Sequence, residues 1–182
     1  MPDAEQAWAF LENSDLVAGA EEVQRAVREV AAQIEARLGG AYPLVLAVMG
    51  GAVVFAGQVL PLLRFPLDFD YIDASRYGQA TRGTHLEWRV SPPGPAKGRT
   101  VLVLDDILDH GETMSAIRER LLEFGARAFY CAVLVDKILQ KKKPIAADFV
   151  GLSIPDRFVF GCGMDAKGYW RNLPEIRAMK ET

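Results

Sequence analysis

The sequence is poor in cysteine and has no large excess of charge of either sign. Its two cysteines, Cys131 and Cys162, both lie in apolar stretches. Two buried thiols are typical of a protein kept in a reducing compartment, so we do not expect a disulfide framework. The formal net charge is −3, from 24 acidic and 21 basic residues. A balance this mild gives no electrostatic basis for binding nucleic acid.

Long apolar runs are lacking as well. No run approaches the ~20 apolar residues that span a bilayer. The first ten residues, MPDAEQAWAF, lack the basic and apolar regions of a signal peptide. We therefore expect a cytoplasmic protein that does not bind membranes. With 182 residues, 50% hydrophobic and 25% charged, the chain suits a single globular domain over residues 1–182.

Strand and helix patterns alternate along the chain. Apolar residues at three- and four-residue spacings predict helices, whereas short apolar runs bounded by turn residues predict buried strands. The predicted helices cover 3–12, 20–38, 52–63 and most of 107–125. The predicted strands cover 42–51, 65–78, 99–106, 126–137, 148–154 and 157–163. This alternation indicates an α/β domain with a mainly parallel sheet.

Two polar stretches interrupt the pattern. The tail from residue 165 onward is expected to be mostly turns. Residues 78–99 contain few apolar side chains and predict a long mobile loop, with a short strand at 84–90. The run Lys141, Lys142, Lys143 before Pro144 is expected to be a solvated loop.

The segment VLVLDDILDHGETM (101–114) carries the strongest chemical signal. Ligands of an open parallel sheet bind beyond the carboxyl ends of its strands, where Asp105, Asp106 and Asp109 would lie. Backbone N–H groups of a loop entering a helix bind phosphate. Carboxylates beside them make sense if they accept hydrogen bonds from sugar hydroxyls or face Mg²⁺. The combination predicts a ligand with a phosphate, a ribose and a metal.

Other interpretations of this segment are weaker. A G-x-G-x-x-G fingerprint and a G-K-[ST] loop are both lacking, which argues against a dinucleotide fold and a Walker loop. It also remains open that Asp105 and Asp106 are only the polar end of a strand and that Asp109 is a helix N-cap. In a phospho-receiver domain the acidic pair lies near the domain start, whereas here only 182 − 106 = 76 residues follow it. The pair Gly50-Gly51 either lets the backbone approach a ligand or forms a simple turn.

LVLDDILDHGET resembles the phosphoribosyl pyrophosphate (PRPP) motif of the type I phosphoribosyltransferases. Further segments resemble one branch, the hypoxanthine-guanine phosphoribosyltransferases. They are VMGGAVVF (48–55), DFDYIDASRYG (68–78), LVDKI (134–138), DFVGLSIPDRFVFGCGMD (148–165) and YWRNLPEI (169–176). The resemblance covers residues from about 44 to 176 and implies a mainly parallel twisted sheet flanked by helices, with a small hood formed by the terminal segments.

The same resemblance implies an activity. Enzymes of this branch serve purine salvage: they transfer the 5-phosphoribosyl group of PRPP to hypoxanthine or guanine, giving IMP or GMP and pyrophosphate, with Mg²⁺. Relatives form homodimers or homotetramers. Two alternatives stay open, a non-catalytic nucleotide- or PRPP-sensing protein of the same fold and a xanthine-preferring transferase.

The resemblance also assigns roles to individual residues. The ribose hydroxyls would be held by Asp105 and Asp106, directly or through Mg²⁺, and Asp165 would bind a second Mg²⁺. Asp109 would be the general base at purine N7. The loop that wraps the 5′-phosphate would be Asp109, His110, Gly111, Glu112 and Thr113.

The remaining assignments concern the base, the pyrophosphate and a closing loop. The purine base would be contacted by Lys137, Phe158 and Val159. Pyrophosphate would be bound by Gly50, Gly51 and Arg171. The closing loop would begin with Ser75, Arg76 and Tyr77.

Three residues depart from the family pattern. Met49 stands where a lysine or arginine is usual, Arg76 replaces a serine, and Cys162 replaces an aromatic residue. The family often has a cis peptide bond before the first of these positions, which corresponds to Val48–Met49.

Overall fold

The structure, a computed structural model, describes residues 3–76, 86–90 and 96–180, and within these the side chains of residues 75, 76 and 86–89 are not described. The helices in those ranges are α1 (Ala4–Glu12), α2 (Ala20–Leu38), α3 (Val53–Val59) and α4 (Glu112–Glu123). The strands are β1 (Ser14–Ala18), β2 (Leu44–Met49), β3 (Asp68–Arg76), β4 (Leu86–Val90), β5 (Thr100–Leu108), β6 (Ala128–Ile138), β7 (Phe149–Pro155), β8 (Val159–Phe160) and β9 (Ile176–Met179).

A twisted central sheet has the order β4-β3-β2-β5-β6-β7. Five of its strands are parallel, and β4 runs antiparallel along β3. The middle strands β2, β5 and β6 are buried over most of their length. Their apolar runs do not alternate with polar residues because helices cover both faces of the sheet. The α/β class expected from the sequence is confirmed.

The helices bury the apolar stripes that the spacing predicts. Helix α2 packs on β7 and α3, and the 20–38 prediction matches its bounds. Its buried residues include Val23, Val27, Val30, Ile34 and Leu38. Helix α3 ends at Val59 and continues as one 3₁₀ turn over 60–62, so the predicted helix at 52–63 is shorter than expected. Proline at position 61 has no backbone N–H with which to extend the α-helix.

A second, three-stranded antiparallel sheet forms the hood, in the order β1-β9-β8. The sequence patterns do not predict β1 or β9, and the expectation that the tail is mostly turns is wrong for β9. Both strands are short; β1 pairs with β9 from the other end of the chain, and β9 pairs with both β1 and β8. An ion pair between Arg157 Nη2 and Asp15 Oδ2, at 2.7 Å, joins the same two regions. The predicted strand 157–163 shrinks to β8, because Gly161, Cys162 and Gly163 have positive φ angles and form turns.

Part of the polar stretch 78–99 can be compared with its prediction. The short strand expected at 84–90 is observed as β4. Residues 77–85 and 91–95 lie outside the described residues, so the predicted mobile loop is largely untested. Among the described helices, none combines the length and apolar character needed to cross a bilayer.

Two adjacent leucines of α4 offer a matched test of this packing. Leu121 is fully buried, whereas Leu122 is 40% exposed. Leu121→Ala should lower the free energy of unfolding by about 2–5 kcal/mol, because it leaves a cavity in the core. Leu122→Ala should change it by about 0.5 kcal/mol or less. Urea unfolding followed by circular dichroism measures both, and equal losses would contradict the orientation of α4.

Candidate active site

A cleft of about 400 Å³ lies at the carboxyl ends of the parallel strands β2 and β5, where α4 begins. This is where ligands of an open α/β sheet bind. The described residues that line it are Val48, Met49, Gly50, Gly51, Ala74, Asp105, Asp106, Ile107, Leu108, Asp109, His110, Gly111, Glu112, Thr113, Met114 and Arg171. The predicted PRPP and pyrophosphate residues are therefore brought together in one cleft.

The acidic pair sits near the end of β5. Asp106 is 8% exposed, and Asp105 is half-buried and accepts a 2.9 Å hydrogen bond at Oδ1 from the Asp106 N–H. Burial raises the pKa of Asp105 well above its usual value, and the neighbouring Asp106 charge adds to this effect. Burial also raises the pKa of Asp106, while the Asp105 hydrogen bond and the Arg171 charge oppose the rise. A cation or a set of hydroxyl donors here would favour the ionised carboxylates.

The loop after β5 turns sharply into α4. Gly111 precedes the helix with φ of 80°, a left-handed conformation that glycine adopts without a Cβ penalty. The first N–H groups of any α-helix have no partner within the helix, so they are free to donate hydrogen bonds to an anion. Glu112 and Thr113 follow in the first turn of α4 and line the cleft. The predicted phosphate loop thus has the geometry of an anion site.

The turn after β2 forms the opposite wall of the cleft. A Cβ on Gly51 would overlap the Asp106 carboxylate, and a Cβ on Gly163 would overlap the Gly51 carbonyl. Only glycine permits this close approach of three segments. The cis peptide bond expected at Val48–Met49 is instead at Met49–Gly50. The regular pairing of Val48 with Ile72 and of Met49 with Asp73 keeps β2 extended up to that point.

Arg171 and Asp165 form an ion pair at the edge of the cleft. Arg171 Nη1 also donates a 2.6 Å hydrogen bond to the Gly163 carbonyl, and Asp165 Oδ2 accepts one of 2.6 Å from the Gly168 N–H. Asp165 therefore lies beside the cleft rather than in its lining. Among the described residues that line the cleft, Arg171 is the one with a permanent positive charge. Met49, at the family's usual cationic position, supplies none.

Helix α1 packs against Trp170, the residue before Arg171. The Trp170 indole Nε1 donates a 2.6 Å hydrogen bond to the Ala7 carbonyl, and the rings of Trp8 and Trp170 meet edge-on with centroids 5.0 Å apart. This contact was missed at the level of sequence, because it joins residues at opposite ends of the chain. Tryptophans at 8 and 170 are its only sequence signal.

The residues expected to contact the base lie at the end of β6 and near β8. Lys137 is 9% exposed, and its Nζ lies 3.3 Å from Asp109 Oδ2 and 3.7 Å from Asp156 Oδ1. Asp156 was not predicted as a site residue, although it stands in the family-like segment IPDRF. Phe158 is 54% exposed, and Val159 is buried in β8 opposite Ala178. Lys137 thus contacts a residue of the cleft, Asp109, but Lys137, Phe158 and Val159 are all absent from the cleft lining.

The expected closing-loop residues are only partly described. Ser75 and Arg76 end β3, where their backbones pair with Glu87 and Leu86. Their side chains, and Tyr77 altogether, lie outside the described residues.

The donor set at the acidic pair suits Mg²⁺. Within the described ranges, no group of three or more His, Cys, Asp or Glu side chains is arranged to hold a metal. Mg²⁺ keeps several waters and commonly binds proteins through one or two carboxylates plus substrate oxygens. Asp105 and Asp106 supply such a pair of carboxylates at the cleft.

Known proteins share this arrangement of sequence and fold. Residues 17–167 match the phosphoribosyl transferase domain family. The hypoxanthine-guanine phosphoribosyltransferase of Bacillus subtilis is 33% identical over 161 residues, which cover 88% of this chain and 89% of that protein. The corresponding protein of Aquifex aeolicus is 31% identical, covering 88% and 92%. This chain belongs to the hypoxanthine-guanine phosphoribosyltransferase family.

A solved structure agrees with this assignment. The hypoxanthine-guanine phosphoribosyltransferase of Bacillus anthracis superposes with a TM-score of 0.85 at 32% identity, covering 91% of this chain and 98% of that one. The resemblance and the type I fold expected from the sequence are both confirmed.

The raised pKa of Asp105 predicts a pH-dependent gain in stability for Asp105→Asn. Burial holds the pKa of Asp105 in the folded state above its value in the unfolded state. As the pH rises above the unfolded-state pKa, the ligand-free folded protein therefore loses stability relative to the unfolded protein. Asparagine removes that penalty and keeps the acceptor for the Asp106 N–H. The ligand-free variant should therefore have a higher Tm at neutral pH, with the gain shrinking as pH falls.

Asp70→Asn is the matched control for this experiment. Asp70 Oδ1 accepts a similar 2.8 Å bond from the next N–H, that of Tyr71, but it lies outside the cleft. Thermal melts across a pH series measure both variants. A Tm gain for Asp105→Asn that did not depend on pH would contradict the burial argument.

Proposed function

We propose that this protein transfers the 5-phosphoribosyl group of PRPP to hypoxanthine and guanine, giving IMP or GMP and pyrophosphate. The observation that carries the proposal is the 3.3 Å contact between Lys137 and Asp109, next to the acidic pair and the loop entering α4. This contact supports a base site that adjoins the phosphoribose site at one end of the sheet. The names of the relatives support the same substrates. A sensing protein without catalysis is not favoured, because Asp109, Lys137, Asp165 and Arg171 are all present.

PRPP would occupy the cleft with its ribose toward the acidic pair. We assign the two ribose hydroxyls to Asp105 and Asp106, and the 5′-phosphate to the loop from Asp109 to Thr113. The N-terminal N–H groups of α4 and the left-handed Gly111 support this orientation. Asp165 is assigned to a second metal ion. When bound, Mg²⁺ would neutralise negative charge on the pyrophosphate group.

Asp109 is assigned as the proton acceptor. Its Oδ1 is buried and accepts no hydrogen bond within the described residues, while its Oδ2 lies beside Lys137. As purine N9 bonds to the sugar carbon, the carbon–oxygen bond to pyrophosphate breaks and N7 loses its proton. Asp109 Oδ1 accepts no hydrogen bond within the described residues, and it lies 3.7 Å from His110 Nδ1, so it is suited to accept that proton.

The leaving pyrophosphate would meet Gly50, Gly51 and Arg171. The guanidinium, held by Asp165 and the Gly163 carbonyl, can stabilise the charge that develops on the leaving group. Lys137 would donate to the purine 6-oxo group, with Phe158 stacking on the base and Val159 contacting its edge. Ser75, Arg76 and Tyr77 would begin the segment that closes over the reaction and excludes water.

We also propose that residues 1–182 form one domain, located in the cytoplasm and assembled as a homodimer or homotetramer. The hood sheet, which combines both ends of the chain, supports a single domain. The two free, buried cysteines suit a reducing compartment. On β3, Phe69 and Tyr71 are 46% and 43% exposed, which supports a subunit contact. Light scattering on the purified protein tests the assembly.

The activity is tested by incubating the protein with PRPP, Mg²⁺ and each purine base, and by detecting nucleotides chromatographically. IMP and GMP should form, and AMP should not. XMP as the main product would favour the xanthine alternative. No nucleotide from any base would overturn the proposal.

Asp109→Asn should keep the fold and substrate binding but slow the reaction. Loss of a general base typically lowers the rate by ~10²–10⁴-fold. Single-turnover kinetics measure the chemical step, and an unchanged Tm and PRPP affinity serve as controls. Full single-turnover rate in the variant would show that Asp109 is not the base.

Lys137→Gln should weaken the discrimination among purines. An ammonium offers three donors and no acceptor, so it matches a 6-oxo group and opposes the 6-amino group of adenine. Rejection of adenine by ~10²-fold or more is expected of the unaltered protein. Glutamine offers both a donor and an acceptor, so the ratio of kcat/KM values for hypoxanthine and adenine should fall. An unchanged ratio would remove Lys137 from the selector role.

A further inference from the structure

The three consecutive lysines after β6 have different environments. Lys141 and Lys142 are exposed, as expected for a solvated loop, whereas the Lys143 side chain is only 12% exposed. The expectation of a solvated loop is therefore wrong for Lys143. Its Nζ donates a 2.6 Å hydrogen bond to the Leu108 carbonyl and contacts Asp136 Oδ1 at 2.5 Å.

The two partners of Lys143 lie opposite each other at the ends of adjacent strands. Leu108 and Asp136 are paired across β5 and β6, and each directly precedes a residue of the site. Leu108 is followed by Asp109, and Asp136 by Lys137. One ammonium group thus joins the two strand ends from which the proposed base and the proposed purine selector extend.

Residues 143–145 also lie next to Gly111 in the predicted phosphate loop. A Cβ placed on Gly111 would lie 3.4 Å from Lys143 Cβ, 3.5 Å from Pro144 Cδ and 3.4 Å from Ile145 Cγ2. The segment 143–145 therefore contacts the loop between Asp109 and α4. Its position bears on the proton acceptor, the base contact and the phosphate site together.

We propose that Lys143 is a positioning residue that holds Asp109 and Lys137 in register for the transfer reaction. The inference rests on the proposed function for its catalytic consequence. The interaction of a largely buried ammonium with a carbonyl and a carboxylate is directional, since each N–H must point at its acceptor. Without it, Leu108 loses a partner at the residue before Asp109, and small displacements of reacting groups are costly: a 1 Å error can lower a rate by ~10²-fold.

Lys143→Met, which keeps the length of the side chain and removes its charge, tests the proposal. Lys142→Met is the matched control, since Lys142 is exposed in the same loop. We expect Lys143→Met to lower kcat with hypoxanthine by ~10-fold or more. The control should retain the original kcat. A kcat for Lys143→Met within twofold of the original protein would overturn the proposal.

A double variant separates positioning from simple charge compensation. Lys143→Met alone leaves the Asp136 carboxylate without its ion-pair partner, so its Tm should fall. Asp136→Asn combined with Lys143→Met removes both charges, so that loss of Tm should be reversed. If Lys143 acts through the Leu108 carbonyl, kcat should stay low in the double variant. Recovery of both Tm and kcat would assign Lys143 a structural role only, and would overturn the proposal.

Amide hydrogen exchange gives a readout that needs no activity. Peptides covering 105–112 should exchange faster in Lys143→Met and in the double variant, but not in Lys142→Met. This separates the two proposals: if the original protein forms no nucleotide, the proposed function fails, while the exchange still decides whether Lys143 holds this segment. Unchanged exchange in Lys143→Met would overturn the positioning role.

Discussion

Two neighbouring carboxyl groups, those of Asp105 and Asp106, sit near the end of a strand that is otherwise apolar and buried. Burial raises the pKa of both carboxyl groups, so their ionisation destabilises the ligand-free protein. Much of the surrounding structure follows from this. Gly51 leaves room for the Asp106 carboxylate, Gly163 leaves room for Gly51, and Arg171 brings positive charge nearby. Hydroxyl donors or a cation bound here would favour the ionised forms of both carboxyl groups.

The hood has a role beyond covering the sheet. It gathers β1 from one end of the chain and β9 from the other, and the intervening turns carry Gly163, Asp165 and Arg171. Helix α1 contacts this region through Trp8 and Trp170. The positive charge of the cleft is therefore held by segments remote in sequence, whereas the acidic pair and the phosphate loop are local to β5 and α4.

Local features could be predicted from the sequence because their causes are local. The buried strand before Asp105, the turn at Gly111 and the apolar stripe of α2 each depend on neighbouring residues. Strands β1 and β9 of the hood could not be predicted from local patterns, since they gain their hydrogen-bond partners only from each other and from β8. Lys143 was misjudged for a similar reason: nothing in a lysine run shows that one ammonium meets the Leu108 carbonyl, 35 residues away.

We propose that PRPP and a purine base bind side by side, with the sugar on the acidic pair and the base beside Lys137. A crystal structure with PRPP, Mg²⁺ and an unreactive purine analogue tests this most directly. We expect the ribose hydroxyls at Asp105 and Asp106, the 5′-phosphate on the loop before α4, and the purine 6-oxo group within hydrogen-bond distance of Lys137 Nζ. A purine bound away from Lys137, or a ribose away from the acidic pair, would contradict it.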